Sequence, residues 1–104
     1  MKEKQILAIV KEPGQAPRLE PLFENSLESF QGTVGGYIET VTLGEDLVVI
    51  CDEEGRLKGY PFNIEIGGIG FVGTILAVGR KGDEFASLRA ASIPMVMRLM
   101  GGAD

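Results

Sequence analysis

The chain has 104 residues, a formal net charge of −5, one cysteine and no histidine. That length suits one domain spanning residues 1–104 and leaves no room for separate cofactor and substrate domains. The 44% hydrophobic and 24% charged content is that of a folded globule rather than a disordered chain. An acidic balance, with a pI near 4.7, argues against general binding to nucleic acid or to an anionic membrane, since both need a cationic face. Without histidine there is no Ser-His-Asp triad, no Cys-His pair and no His-rich zinc site. Cys51 has no partner for an internal disulfide, which fits a reducing cytoplasm, and its place at the end of an apolar strand marks it as a small buried hydrophobe.

In chain order, Ile6 to Val10 is an unbroken apolar run and reads as a strand covered on both faces. Glu12-Pro13-Gly14 is a turn, and Arg18 to Glu20 is a short edge strand between Pro17 and Pro21. Asn25 is the expected helix cap, with Glu28 completing a capping box. Leu27, Phe30 and Val34 form the apolar stripe, and Gly35-Gly36 ends the helix. Tyr37 to Leu43 and Leu47 to Cys51 are rich in β-branched and apolar residues, and the short link between them predicts an antiparallel hairpin.

The most informative stretch is Cys51 to Asn63, CDEEGRLKGYPFN. It reads as a hairpin tip. Asp52, Glu53 and Glu54 are a solvated acidic turn, Gly55 closes it at positive φ, and Arg56 to Gly59 leaves as a second strand. Three consecutive acids do not converge on one metal ion, so no metal site is predicted. Gly68 to Gly73 spells GxGxxG, but a short β-branched segment follows it where a dinucleotide site needs a long helix. The reading is glycines for a bulge or close packing, with no cofactor. Phe71 to Gly79 reads as one buried strand and Phe85 to Leu88 as another. A last helix starts near Ala91 or Ser92, carrying Ile93, Val96, Met97 and Met100 on one stripe. The expected fold is a single α+β domain, an antiparallel or mixed β-sheet covered by two helices.

The ILAIV strand with EPG, the segment VGGYIE (Val34 to Glu39), the tip DEEGRLKG (Asp52 to Gly59), Asn63 after a proline-containing turn and the strand GTILAVG (Gly73 to Gly79) occur in one order. In that order the chain resembles a family of small bacterial and phage proteins, domain of unknown function 3846. The resemblance implies a cytoplasmic protein often carried by phages or mobile elements, and it brings no activity with it.

Three functional readings follow. The first is a non-enzymatic accessory or interaction protein with a protein partner, suggested by the absence of any nucleophile or metal-ligand pattern. The second is a small ligand-binding protein or enzyme with its site at Glu53, Arg56, Tyr60 and Asn63, on loops held by the scaffold. The third is an acidic mimic of nucleic acid. The sequence leaves oligomeric state open.

Overall fold

The computed structural model describes residues 3–102, so the outermost residues of the predicted span lie outside the described ones. The apolar run forms β1 (Gln5–Lys11), and β2 (Arg18–Glu24) returns beside it. β2 is longer than expected because the pairing shifts register opposite Leu7, between Ile6 and Ala8, where Pro21 sits. A proline lacking its N–H is tolerated at such an irregularity on a sheet edge. Helix α1 (Leu27–Val34) follows, then β3 (Ile38–Gly44) and β4 (Leu47–Asp52) as the predicted hairpin.

Next come β5 (Phe62–Ile66), β6 (Ile69–Val72), β7 (Ile75–Lys81) and β8 (Glu84–Ala86), and then a 3-10 turn at Ala90–Ser92 leading into α2 (Ile93–Leu99). The main sheet runs β2-β1-β7-β4-β3, with β8 paired to β7. Every pairing is antiparallel. The fold is therefore α+β with an antiparallel sheet, and β7 and β4 are central in it.

Alternation sends the two faces of the sheet into two cores. Ile6, Ala8, Val10, Val48, Ile50, Leu76 and Val78 pack with Phe30 and Val34 of α1. Phe30 stacks on Phe23 and meets Phe85 edge-on, with ring centroids 5.4 Å and 5.1 Å away. On the other face, Ile9, Val49, Ile75 and Ala77 pack with Ile66 and Phe71 of the β5–β6 hairpin and with Val96 and Met100 at the C-terminal end. The second face is thus shared between a hairpin and the short α2, where two covering helices were expected.

The hairpin differs from the sequence reading for a physical reason. The stretch read as one strand, Phe71 to Gly79, is cut by Gly73 at φ 72. β6 belongs to a separate two-stranded sheet with β5, and β7 alone enters the main sheet. The GxGxxG letters therefore lie across a β-hairpin and its exit, with no helix behind them. At α1 the cap is Ser26, whose hydroxyl accepts from the Ser29 N–H at 3.1 Å. Asn25 is instead buried, donating through Nδ2 to the carbonyls of Glu3 and Phe85. Leu27, placed on the apolar stripe by its spacing, is exposed, because the helix buries only Phe30 and Val34. Gly35 ends the helix in the left-handed region as predicted, its N–H returning to the Gln31 carbonyl.

Candidate binding site at the end of β4

β4 carries Val48, Ile50 and Asp52 toward α1, and Val49 and Cys51 toward the hairpin face. One strand therefore splits neighbouring residues between two environments. Asp52 goes to the α1 side and is not part of a solvated tip: its side chain is 1% exposed. Its Oδ1 accepts from the Glu54 N–H at 2.8 Å, and its Oδ2 meets Lys58 Nζ at 2.7 Å.

The chain beyond Asp52 is not a strand. The Lys58 N–H reaches the Glu54 carbonyl, the Gly59 N–H that of Arg56, and the Tyr60 N–H that of Gly55. This is one helical turn, capped at its start by Asp52 and closed by a Schellman motif in which Gly59, at φ 74, is the left-handed residue. Gly55 is not at positive φ, so the type I turn with a bulge at Gly55 and the outgoing strand Arg56 to Gly59 are both replaced. The sequence signal was present: an Asp, then Glu-Glu-Gly-Arg-Leu-Lys, then Gly.

Around Asp52 the packing leaves no room for side chains. A Cβ at Gly36 would fall 2.9 Å from Asp52 Oδ2 and onto the Lys58 ammonium. A Cβ at Gly35 would lie 2.5 Å from the Tyr60 hydroxyl. Lys58 Nζ also donates to the Gly35 carbonyl at 3.2 Å and stands 5.7 Å from the Tyr60 ring centre. The segments VGGYIE and DEEGRLKG thus lock together through Gly35-Gly36, Asp52 and Lys58, with Tyr60 just beyond the second segment closing over Gly35. Burial pushes the Asp52 carboxyl up, but the Lys58 ammonium, the Glu54 N–H and the Tyr60 hydroxyl outweigh it, and the net pKa lies below the ordinary 3.8. Donating to the Asp52 carboxylate holds the Lys58 ammonium above its ordinary 10.5.

The other side of the strand carries a cleft of about 200 Å³. Its floor is Val41, Cys51, Phe71 and Val72, its rim includes Glu39, Glu53, Arg56, Leu57 and Ile69, and Asp52 touches it at the end of β4 although its carboxylate is buried. Glu39 and Glu53 are exposed, and neither carboxylate lies within an ion pair among the described residues. Arg56 donates through Nη2 to the Gly70 carbonyl at 2.6 Å, which ties the loop to β6. Leu57 is 87% exposed. Burial, then the nearby Glu39 and Asp52 carboxylates, push the Cys51 thiol up to about 11, so it is protonated at neutral pH and is a poor nucleophile.

Of the predicted site residues, Glu53 and Arg56 share this cleft. Tyr60 does not line it. Its ring lies against Gly73 and Gly55, beside a separate depression with Pro13, Val34 and Thr74. Asn63 lies outside the cleft as well; its Nδ2 donates to the carbonyls of Lys11 and Gly73 at 2.9 and 2.7 Å, pinning the hairpin to β1. Sequence reasoning missed Glu39, Val41 and Ile69, which reach the cleft from β3 and β6. Among the described residues no group of three or more acids and thiols is arranged to hold a metal ion.

Fold and site together define a small α+β domain with an antiparallel sheet, a lock between buried Asp52 and partly exposed Lys58 on one face and an open cleft on the other. The chain belongs to the family described as Domain of unknown function (DUF3846), whose model matches residues 4–100. No curated protein and no solved structure gives a significant match. No helix among the described residues is long and apolar enough to cross a membrane.

Proposed function

We propose that this protein is a non-enzymatic binding module whose cleft between β3, β4 and β6 holds a basic, partly apolar segment of a protein partner. The observation that carries this reading is the composition of the cleft. An apolar floor lies beneath two exposed carboxylates, Glu39 and Glu53, while the one guanidinium on the rim is engaged with a backbone carbonyl. A lysine or arginine of the partner would meet the carboxylates, and its apolar neighbours would cover Ile69 and Leu57. The groups that resemble a catalytic set, Asp52, Lys58 and Tyr60, are engaged with one another and with Gly35-Gly36 on the opposite face. An accessory role of the phage or mobile-element type, in the cytoplasm, belongs to this reading. Arg56 among the acids of the cleft favours a protein segment over mimicry of a nucleic acid, which needs an uninterrupted row of carboxylates.

The test is an NMR titration of the labelled protein with short peptides of one apolar pattern, carrying either lysines or glutamates. The basic peptide should give saturable shifts at Glu39, Glu53, Ile69 and Gly70. A Glu39→Gln/Glu53→Gln double variant should stay folded and lose them. Equal shifts with both peptides, or none with either, would end the proposal.

A further inference from the structure

The two edges of the main sheet are built differently. β2 carries Pro21, an irregular register and the Glu12–Arg18–Glu20 ion cluster at 2.6 and 3.0 Å, all devices that stop another strand from adding. β3, at the other edge, reads IETVTLG, with no proline, no lysine and no irregularity between Ile38 and Thr42. Its free groups can be assigned. The Glu53 N–H donates to the Tyr37 carbonyl, so Tyr37, Glu39 and Val41 are the residues that exchange bonds with β4. By alternation the N–H and C=O groups of Ile38, Thr40 and Thr42 point away from the sheet.

We infer that β3 pairs with β3 of a second copy of this chain, antiparallel and centred on Thr40, joining two sheets into one. The strand is complementary to itself in that register. Thr40 faces the partner's Thr40, Ile38 faces the partner's Thr42 and Glu39 faces the partner's Val41. All the hydrogen-bonding positions are β-branched, and no like charges stand opposite each other. Tyr37 is 70% exposed in the single chain and comes alongside the partner's Leu43, which supplies an aromatic–aliphatic contact. The outward groups of Ile38 to Thr42 on both strands form roughly six new backbone bonds, two for each exchanging pair. Two acidic copies repel overall, so the charge pattern of the register matters. A shift that centres on Glu39 sets the two carboxylates face to face and is disfavoured.

Sedimentation equilibrium from about 5 μM to about 500 μM tests this, because a pairing dimer is governed by mass action. The mass should rise from 11.2 kDa toward twice that value. Thr40→Pro removes an N–H that the single chain does not use and fills the edge with the pyrrolidine ring, so it should be folded and monomeric. Thr40→Lys sets like charges opposite each other and should be monomeric too, which keeps the test intact if the proline variant fails to fold. Amide exchange at Ile38, Thr40 and Thr42 of the wild type should slow as concentration rises. A wild type that remains monomeric throughout overturns the inference. So do folded variants that still dimerise, or exchange at those three amides that ignores concentration.

Discussion

The Tyr60 ring lies so close to Gly73 that a Cβ there would sit 2.5 Å from Tyr60 Cδ2. Gly73 is also at φ 72, in the left-handed region that side chains avoid. These two facts set the path of the chain between the hairpin and β7. Gly73→Ala should therefore cost the φ strain, about 1–2 kcal/mol, plus a steric part. In a Tyr60→Ala background the ring contact is gone, only the Tyr60 Cβ at 3.3 Å is left of the steric part, and the φ strain remains. A double-mutant cycle by urea unfolding measures the difference, and additive losses would show that the ring does not press on Gly73.

Gly55 offers a contrast. Its cost on substitution comes from contact alone, since a Cβ there would meet Val72 Cγ2 at 3.0 Å and Tyr60 Cδ2 at 3.3 Å. Gly55→Ala should be milder than Gly73→Ala, and Val72→Ala should relieve part of the contact. An equal loss in the two glycine variants would place backbone strain at Gly55 after all.

Asn63 holds two backbone carbonyls with one amide. In Asn63→Asp the oxygen replacing Nδ2 faces acceptors. The loss should reach about 2 kcal/mol or more at neutral pH, the cost of leaving buried polar groups unpaired. It should shrink in acid as the carboxyl gains a proton and can donate. A variant as stable as wild type would mean that the hairpin is not held to β1 by this side chain.

The thiol of Cys51 should be slow. Raised from 9.0 to about 11, it has about 100-fold less thiolate at pH 8 than an ordinary cysteine; the greater nucleophilicity of a more basic thiolate offsets part of this, so reaction with iodoacetamide should be slower by about tenfold or more. Unfolding in urea should restore the ordinary rate. A fast native reaction would show that the cleft floor is open and the thiol available for chemistry.

Stability should depend on pH through Asp52 and Lys58. The folded carboxyl has a lowered pKa, so its contribution is present above the ordinary 3.8 and is lost as pH falls through the lower folded value. Lys58 is raised, so its contribution is complete below 10.5 and is lost as pH rises through the higher folded value. Unfolding midpoints should decline at both ends. Asp52→Asn should flatten the acid limb, and an unchanged limb would remove Asp52 from its cause.

The sheet was legible because its strands are written in apolar runs and β-branched alternation. Ile6 to Val10 and Leu47 to Cys51 cannot be placed anywhere but the core. The resemblance to the family was legible from the order of short segments, and the matched residues bear it out. Three features were not. Ser26 and Asn25 are neighbours with similar capping chemistry, and only the burial of Asn25 against Glu3 and Phe85 decides between them. Gly73 breaks an apolar run because of a ring thirteen positions earlier, a contact that no local pattern shows. The acids Asp52 and Glu53 look alike in sequence. Which one is buried depends on the register of β4 and on Gly35-Gly36 leaving space for Asp52. Of the four site residues named in advance, Glu53 and Arg56 line the cleft and Tyr60 and Asn63 do not. Glu39 and Val41 reach it from β3 and Ile69 from β6, which only the folded hairpin brings near.

The acidic stretch is divided, with Asp52 committed to the fold and Glu53 left free at the cleft. Urea unfolding of Asp52→Asn and Glu53→Gln, side by side at neutral pH with the slope checked for constancy, tests this division. Asp52→Asn should lose about 1–3 kcal/mol, because the network loses its negative charge and one of its two acceptor oxygens. Glu53→Gln should stay within about 0.5 kcal/mol of wild type, as an exposed carboxylate does. The reverse order, or equal losses from both, would contradict the division of the two acids and with it the assignment of the cleft.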